Sequence, residues 1–200
     1  MDKRDFLGAT LSTTLAASAL PATAAAQTGS GSGPVLLTIT GAITRPNRGA
    51  LDPALDQMMA KHKLGFNRAC ALDFGALARL PAQTIRPTLE YDGKPHTLRG
   101  PLLLDVLALA GARWGTNVEA NTRLALRAVD GYAAAVSIKQ ARAQRFIVAT
   151  HLDGQPMALG GLGPLWAVYD ADRVPEMAAL PLNQRFGACP WALYHIEVGA

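Results

Sequence analysis

Three Asp-Gly pairs punctuate the chain, Asp92-Gly93, Asp130-Gly131 and Asp153-Gly154, and each separates two short runs rich in apolar residues. Asp-Gly is a strong signal for the two-residue turn whose twist matches the strands it joins. Strands joined this way pair antiparallel, whereas a doubly wound parallel sheet needs a long crossover after each strand. The pattern predicts strands over 35–40, 83–91, 96–99, 123–129, 132–137, 146–151, 165–169 and 192–198. Helices are predicted over 51–64, 74–80, 102–110 and 138–144. Asp73 caps the second of these and Pro81 closes it; Gly100-Pro101 opens the third and Gly111 ends it. Along 51–64, Leu51, Leu55, Met58 and Met59 recur at helical spacing and predict a core-facing stripe. The class that results is α+β with a mainly antiparallel sheet and short helices.

Composition narrows the functions open to such a fold. Half of the 200 residues are apolar and 17% are charged, the balance of a globular chain with material for one core. No apolar run approaches the ~18 residues of a membrane span, so the mature chain is expected to have none. The net charge is +4, but the basic residues are scattered. A nucleic-acid partner would normally need them clustered, so none is expected. The four histidines (His62, His96, His151 and His195) show no i, i+3 or i, i+4 pairing, so no zinc helix is encoded. His151 stands where site residues often do, at the end of an apolar strand, yet one imidazole specifies no reaction. There is no G-x-S-x-G elbow and no Walker loop. Gly160-Gly161-Leu162-Gly163 precedes a strand rather than a helix, so it reads as a plain loop or a small-anion cradle. Cys70 and Cys189 either pair, which would contribute about 4–5 kcal/mol for so long a loop, or remain free thiols; Cys70 as a metal ligand is a further option.

Residues 1–26 read as an export signal. Lys3 and Arg4 supply the basic start, 11–20 a short weakly apolar run, and Ala24-Ala25-Ala26 a small-residue cleavage site near Ala26. Lys3-Arg4-Asp5-Phe6-Leu7 is similar to a twin-arginine signal with Lys in the first place. The expected location is the periplasm. Residues 27–34 form a Gly/Ser linker, and 35–200 a single domain.

A family resemblance emerges from the second half. Asp130-Gly131-Tyr132, Val136-Ser137-Ile138, Phe146-Ile147-Val148-Ala149-Thr150, Asp153-Gly154-Gln155-Pro156-Met157 and Gly163-Pro164-Leu165-Trp166 follow in that order. With Thr84-Ile85, the Gly100–Leu107 segment and Trp191…Ile196-Glu197-Val198, the series resembles the molybdopterin-binding domain of sulfite-oxidase-type oxidoreductases. The resemblance spans roughly residues 35–198. It implies a mixed, mostly antiparallel sheet. It also implies a molybdenum centre held by a pterin dithiolene and one protein cysteine, since soft sulfur ligands suit that metal.

The chain departs from that pattern at the metal. Tyr91 stands in the place of the ligand cysteine, and no cysteine occurs between 71 and 188. Trp166 stands where an arginine is expected. The resemblance places Arg86, Arg99 and Gly163 with Tyr91 at the cofactor and Tyr132 at the substrate, and leaves no protein metal ligand. Haem is not expected, since no C-x-x-C-H occurs. Three readings stay open. One is a domain binding a pterin or small anion without redox turnover. The second is a molybdopterin oxidoreductase of altered ligation, acting on a small oxyanion with a periplasmic redox partner. The third is an accessory subunit whose pocket is filled by Tyr91, Tyr132 and Trp166.

Overall fold

The computed structural model describes residues 33–113 and 122–199. The expected export signal and nearly all of the predicted linker lie outside them. In chain order the elements are β1 (Val35–Gly41), α1 (Gln57–Lys61), β2 (Cys70–Asp73), α2 (Phe74–Ala78), β3 (Ala82–Ile85), β4 (Leu98–Pro101), α3 (Leu103–Leu109), β5 (Arg123–Ala128), β6 (Ala133–Ser137), α4 (Ile138–Ala143), β7 (Ile147–Ala149), β8 (His151–Leu152), β9 (Gln155–Pro156), β10 (Trp166–Val168), α5 (Pro175–Ala178) and β11 (Leu193–Val198). Single 3-10 turns lie at Ala171–Arg173 and Leu182–Gln184.

The main sheet has the order β2-β1-β11-β5-β6. β1 and β11 run parallel, with Thr38 opposite His195, and the other neighbours are antiparallel. A second sheet runs β3-β4-β8-β9, and β7 pairs with β10. The fold is therefore α+β with a mixed, mostly antiparallel sheet. Asp130-Gly131 and Asp153-Gly154 join β5 to β6 and β8 to β9 where the sequence puts them, whereas Asp92-Gly93 turns the chain within the longer connection from β3 to β4. Gly131 has φ +91°, a conformation that costs glycine nothing.

Alternation in β5 and β6 turns Leu124, Leu126, Ala134 and Val136 inward. They join Leu37, Ile39, Ile196 and Val198 from the central strands. Against them pack Leu103, Val106 and Leu107 of α3, Ile138 of α4, and the wholly buried β7 and β10. Asp73 and Ser137 cap α2 and α4 by accepting from the N–H groups of Ala76 and Gln140 at 2.7 and 3.0 Å. Among the described residues no helix is long and apolar enough to cross a membrane.

Three local expectations need correction. Gly100-Pro101 does not open the third helix but ends β4, and Leu102 stands before α3. The helix predicted over 51–64 shrinks to α1 at 57–61, because Asp52 accepts from the N–H groups of Ala54 and Leu55 and folds the first half into a turn. Of the apolar stripe only Met59 is buried, while Leu55 is 83% exposed. The strand predicted over 83–91 stops at Ile85, where Pro87 removes a ladder donor. The rest of that segment becomes the loop carrying Glu90 and Tyr91.

Candidate functional site

A cavity of about 210 Å³ opens where three loops meet. The loop between β3 and β4 contributes Glu90 and Tyr91, and the turn from β5 to β6 contributes Ala128, Asp130 and Tyr132. The segment entering β11 contributes Phe186, Gly187, Cys189, Pro190 and Trp191. Tyr91, Tyr132 and Trp191 are large apolar side chains left substantially exposed, and all three stand here.

Three aromatic side chains pin the 185–191 segment. Tyr132 donates its phenolic O–H to the carbonyl of Gly187. Trp166 donates its indole N–H to the carbonyl of Cys189 at 2.9 Å, and Tyr169 its O–H to that of Arg185 at 2.6 Å. The Trp166 ring, fully buried, lies 6.1 Å from Phe186 and 6.5 Å from Tyr91, both lining residues. It is the support behind the cavity. Turn chemistry fixes Tyr132: its own N–H is held by Asp130 Oδ1 at 2.9 Å.

A second set of bonds fixes the loop carrying Glu90 and Tyr91. His96 bonds Asp153 through Nδ1 at 2.6 Å and Asp92 through Nε2 at 3.0 Å. Asp153 also takes the N–H of Thr97 at 2.8 Å. The two carboxylates hold the imidazole above its usual pKa, hydrogen bonding to Asp153 being the larger cause. At the loop's other end Asp172 Oδ2 accepts from the N–H of Thr88 at 2.7 Å.

Electrostatically the cavity is acidic. Its titratable carboxylates are Glu90 and Asp130, and no lysine or arginine lines it. Burial pushes the Tyr91 phenol up to about 12, helped by the charge of Glu90 and a hydrogen bond to it. Burial also pushes the Cys189 thiol far up, against a lowering hydrogen bond from the Tyr169 backbone. Both cysteines are free and buried, so no disulfide joins Cys70 to Cys189.

The five residues named from the sequence separate into two groups. Tyr91 and Tyr132 come from segments 41 residues apart and meet in one cavity. Arg86, Arg99 and Gly163 do not line it. Arg86 is exposed, and its backbone N–H bonds Asp170 at 3.3 Å. Arg99 stands exposed on β4 between Thr84 and His151. Gly163 is needed for packing, since a Cβ there would come 2.4 Å from that of Met157. Sequence reasoning missed Glu90, Asp130 and the Phe186–Trp191 segment. A signal existed: Phe186-Gly187-Ala188-Cys189-Pro190-Trp191 sets two aromatics around a glycine and a proline, a composition typical of shaped loops. Among the described residues no group of three or more His, Cys, Asp and Glu side chains is arranged to hold a metal ion. No protein-family model matches the chain, and no curated protein sequence does either.

Proposed function

We propose that this is an exported ligand-binding domain of the sulfite-oxidase-type molybdopterin fold, which holds a flat heterocycle of the pterin class without redox turnover. The carrying observation is the lining itself: four aromatic rings and two carboxylates, with no cationic side chain. Aromatic faces stack on planar heterocycles, worth about 1–3 kcal/mol per ring in nucleobase sites. A pterin's aminopyrimidinone edge presents neighbouring N–H donors, and a carboxylate accepts two such bonds side by side. The volume suits this guest. A cavity of roughly 150 Å³ takes benzene, and drug-sized ligands need about 300–1,000 Å³, so 210 Å³ matches a bare bicyclic ring.

The complete molybdenum cofactor fits these residues poorly. Its dithiolene and phosphate are anionic, and the lining offers Glu90 and Asp130. Cys189 is the lining's one sulfur, and burial holds it as a neutral thiol. The same charges disfavour a small oxyanion substrate. An open cavity argues against a pocket filled by its own side chains.

The test is to purify the protein after export from a host that makes the cofactor. Molybdenum is measured by elemental analysis and pterin by fluorescence after oxidation. Pterin near one equivalent without metal is expected. Stoichiometric molybdenum would overturn the reading in favour of an oxidoreductase, and neither would leave an accessory role.

A further inference from the structure

We infer that the site selects against phosphorylated forms of its ligand, so that its guest is the free, unphosphorylated heterocycle; this rests on the pterin reading above. The inference comes from where the charges stand. Glu90 and Asp130 enter the cavity from different loops, the one after β3 and the turn after β5. Glu90 is half-buried and lines the cavity beside Tyr91 and Cys189. Asp130 keeps one carboxylate oxygen on the Tyr132 N–H and stands exposed at the turn. With a carboxylate on each of two walls and no cation in the lining, a phosphate carried into the cavity meets negative charge from two sides.

The two arginines next in sequence to lining residues do not offset this. Arg127 precedes the lining residue Ala128, but strand alternation sends it to the other face of β5, where its charge acts on Tyr194 and His195. Arg185 precedes Phe186, yet its guanidinium is committed to Asp172 at 2.8 Å and to the carbonyls of Ala178 and Leu180 at 2.9 Å each. The chain as a whole carries +4, so this local acidity runs against the overall sign. A site that recognised a phosphate would present donors such as arginine or a run of backbone N–H groups.

A place in a reaction sequence follows. Where the ligand is made as a phosphate ester, a phosphatase-class hydrolysis must act before this protein. Water is consumed, the phosphate ester bond breaks, and the free alcohol and inorganic phosphate are released.

The experiment titrates the purified protein with neopterin and with neopterin monophosphate, following quenching of pterin fluorescence. The monophosphate is expected to bind at least about tenfold more weakly at low salt, with the gap narrowing at high salt as the charges are screened. Asp130→Asn keeps the oxygen that holds the Tyr132 N–H, and should narrow the gap several-fold at low salt. Equal affinity for the two ligands would overturn the inference and leave the pterin reading standing, as would a gap indifferent to salt and to Asp130→Asn. Binding of neither ligand would overturn both.

Discussion

The indole N–H of Trp166 reaches the carbonyl oxygen of Cys189 at 2.9 Å, across 23 residues of sequence and with both residues buried. Trp166 sits on β10 and Cys189 in the loop that walls the cavity, so one bond couples the core to the site's shape. Trp166→Phe keeps most of the ring and deletes the donor, leaving a buried carbonyl unpaired. Such a loss costs about 1–3 kcal/mol. The expected result is a destabilisation of that order by urea denaturation, together with weaker pterin binding at a temperature where the variant is still folded.

How much of this was legible beforehand depends on how local each cause is. The Asp-Gly turns, the Asp73 cap and the alternation of β5 and β6 act within a few residues, so the strands around Gly131 and Gly154 were readable. The turn that holds Tyr132 was readable from Asp130-Gly131, while its place at a site came from the resemblance alone. The meeting of Tyr91 and Trp191 in one cavity lining was not readable, since the two residues are far apart in sequence and no local period links them. The failure at Leu55 has another cause: helical spacing was present, but Asp52 offered the backbone a competing turn. Arg86 and Arg99 were placed at the cofactor by resemblance alone, and the path of β3 and β4 carries both outside the cavity lining.

Tyr132 has two separable roles. Its ring forms a wall, and its hydroxyl holds Gly187. Tyr132→Phe keeps the wall and removes a bond of about 0.5–1.5 kcal/mol. Pterin affinity should fall by a few-fold, and by clearly more in Tyr132→Ala, where the stacking face is lost as well. Fluorescence titration of both variants orders the two effects. Equal losses would mean the ring contributes nothing.

The two thiols predict a simple chemical behaviour. Cys70 and Cys189 are free and buried, and burial raises both pKa values. Thiolate is the reactive form, so neither should react with an alkylating reagent in the native protein. Two equivalents should react in unreduced, denatured protein. Rapid native labelling of Cys189 would show that the cavity floor opens.

His96 ties the Tyr91 loop to the β8–β9 turn through both of its nitrogens, which requires the protonated ring. Its folded pKa lies above the ordinary histidine value. The sign is therefore that the clamp is fully present below the unfolded pKa of about 6.5 and is lost as pH rises through the folded value. Amide protection of Leu89 and Gly93, whose N–H groups close this loop onto Lys94 and Leu89, should fall between pH 6 and pH 9 after correction for intrinsic exchange. His96→Gln should abolish the dependence.

His195 carries the opposite sign. It is buried in β11, its Nε2 shares a hydrogen bond of 2.9 Å with Thr40 Oγ1, and its Nδ1 has no partner. Burial, aided by the charge of Arg127, pushes its pKa down to about 4. The unfolded chain binds this proton near pH 6.5, so between those values the unfolded state holds more protons than the folded one. Stability must fall as pH drops through that window. A displacement of this size corresponds to a loss of about 3 kcal/mol, complete near pH 4. Urea denaturation at pH 7 and pH 4.5 measures it directly. His195→Gln, which does not titrate, should remove most of the slope, and an unchanged slope would assign the acid sensitivity to other groups.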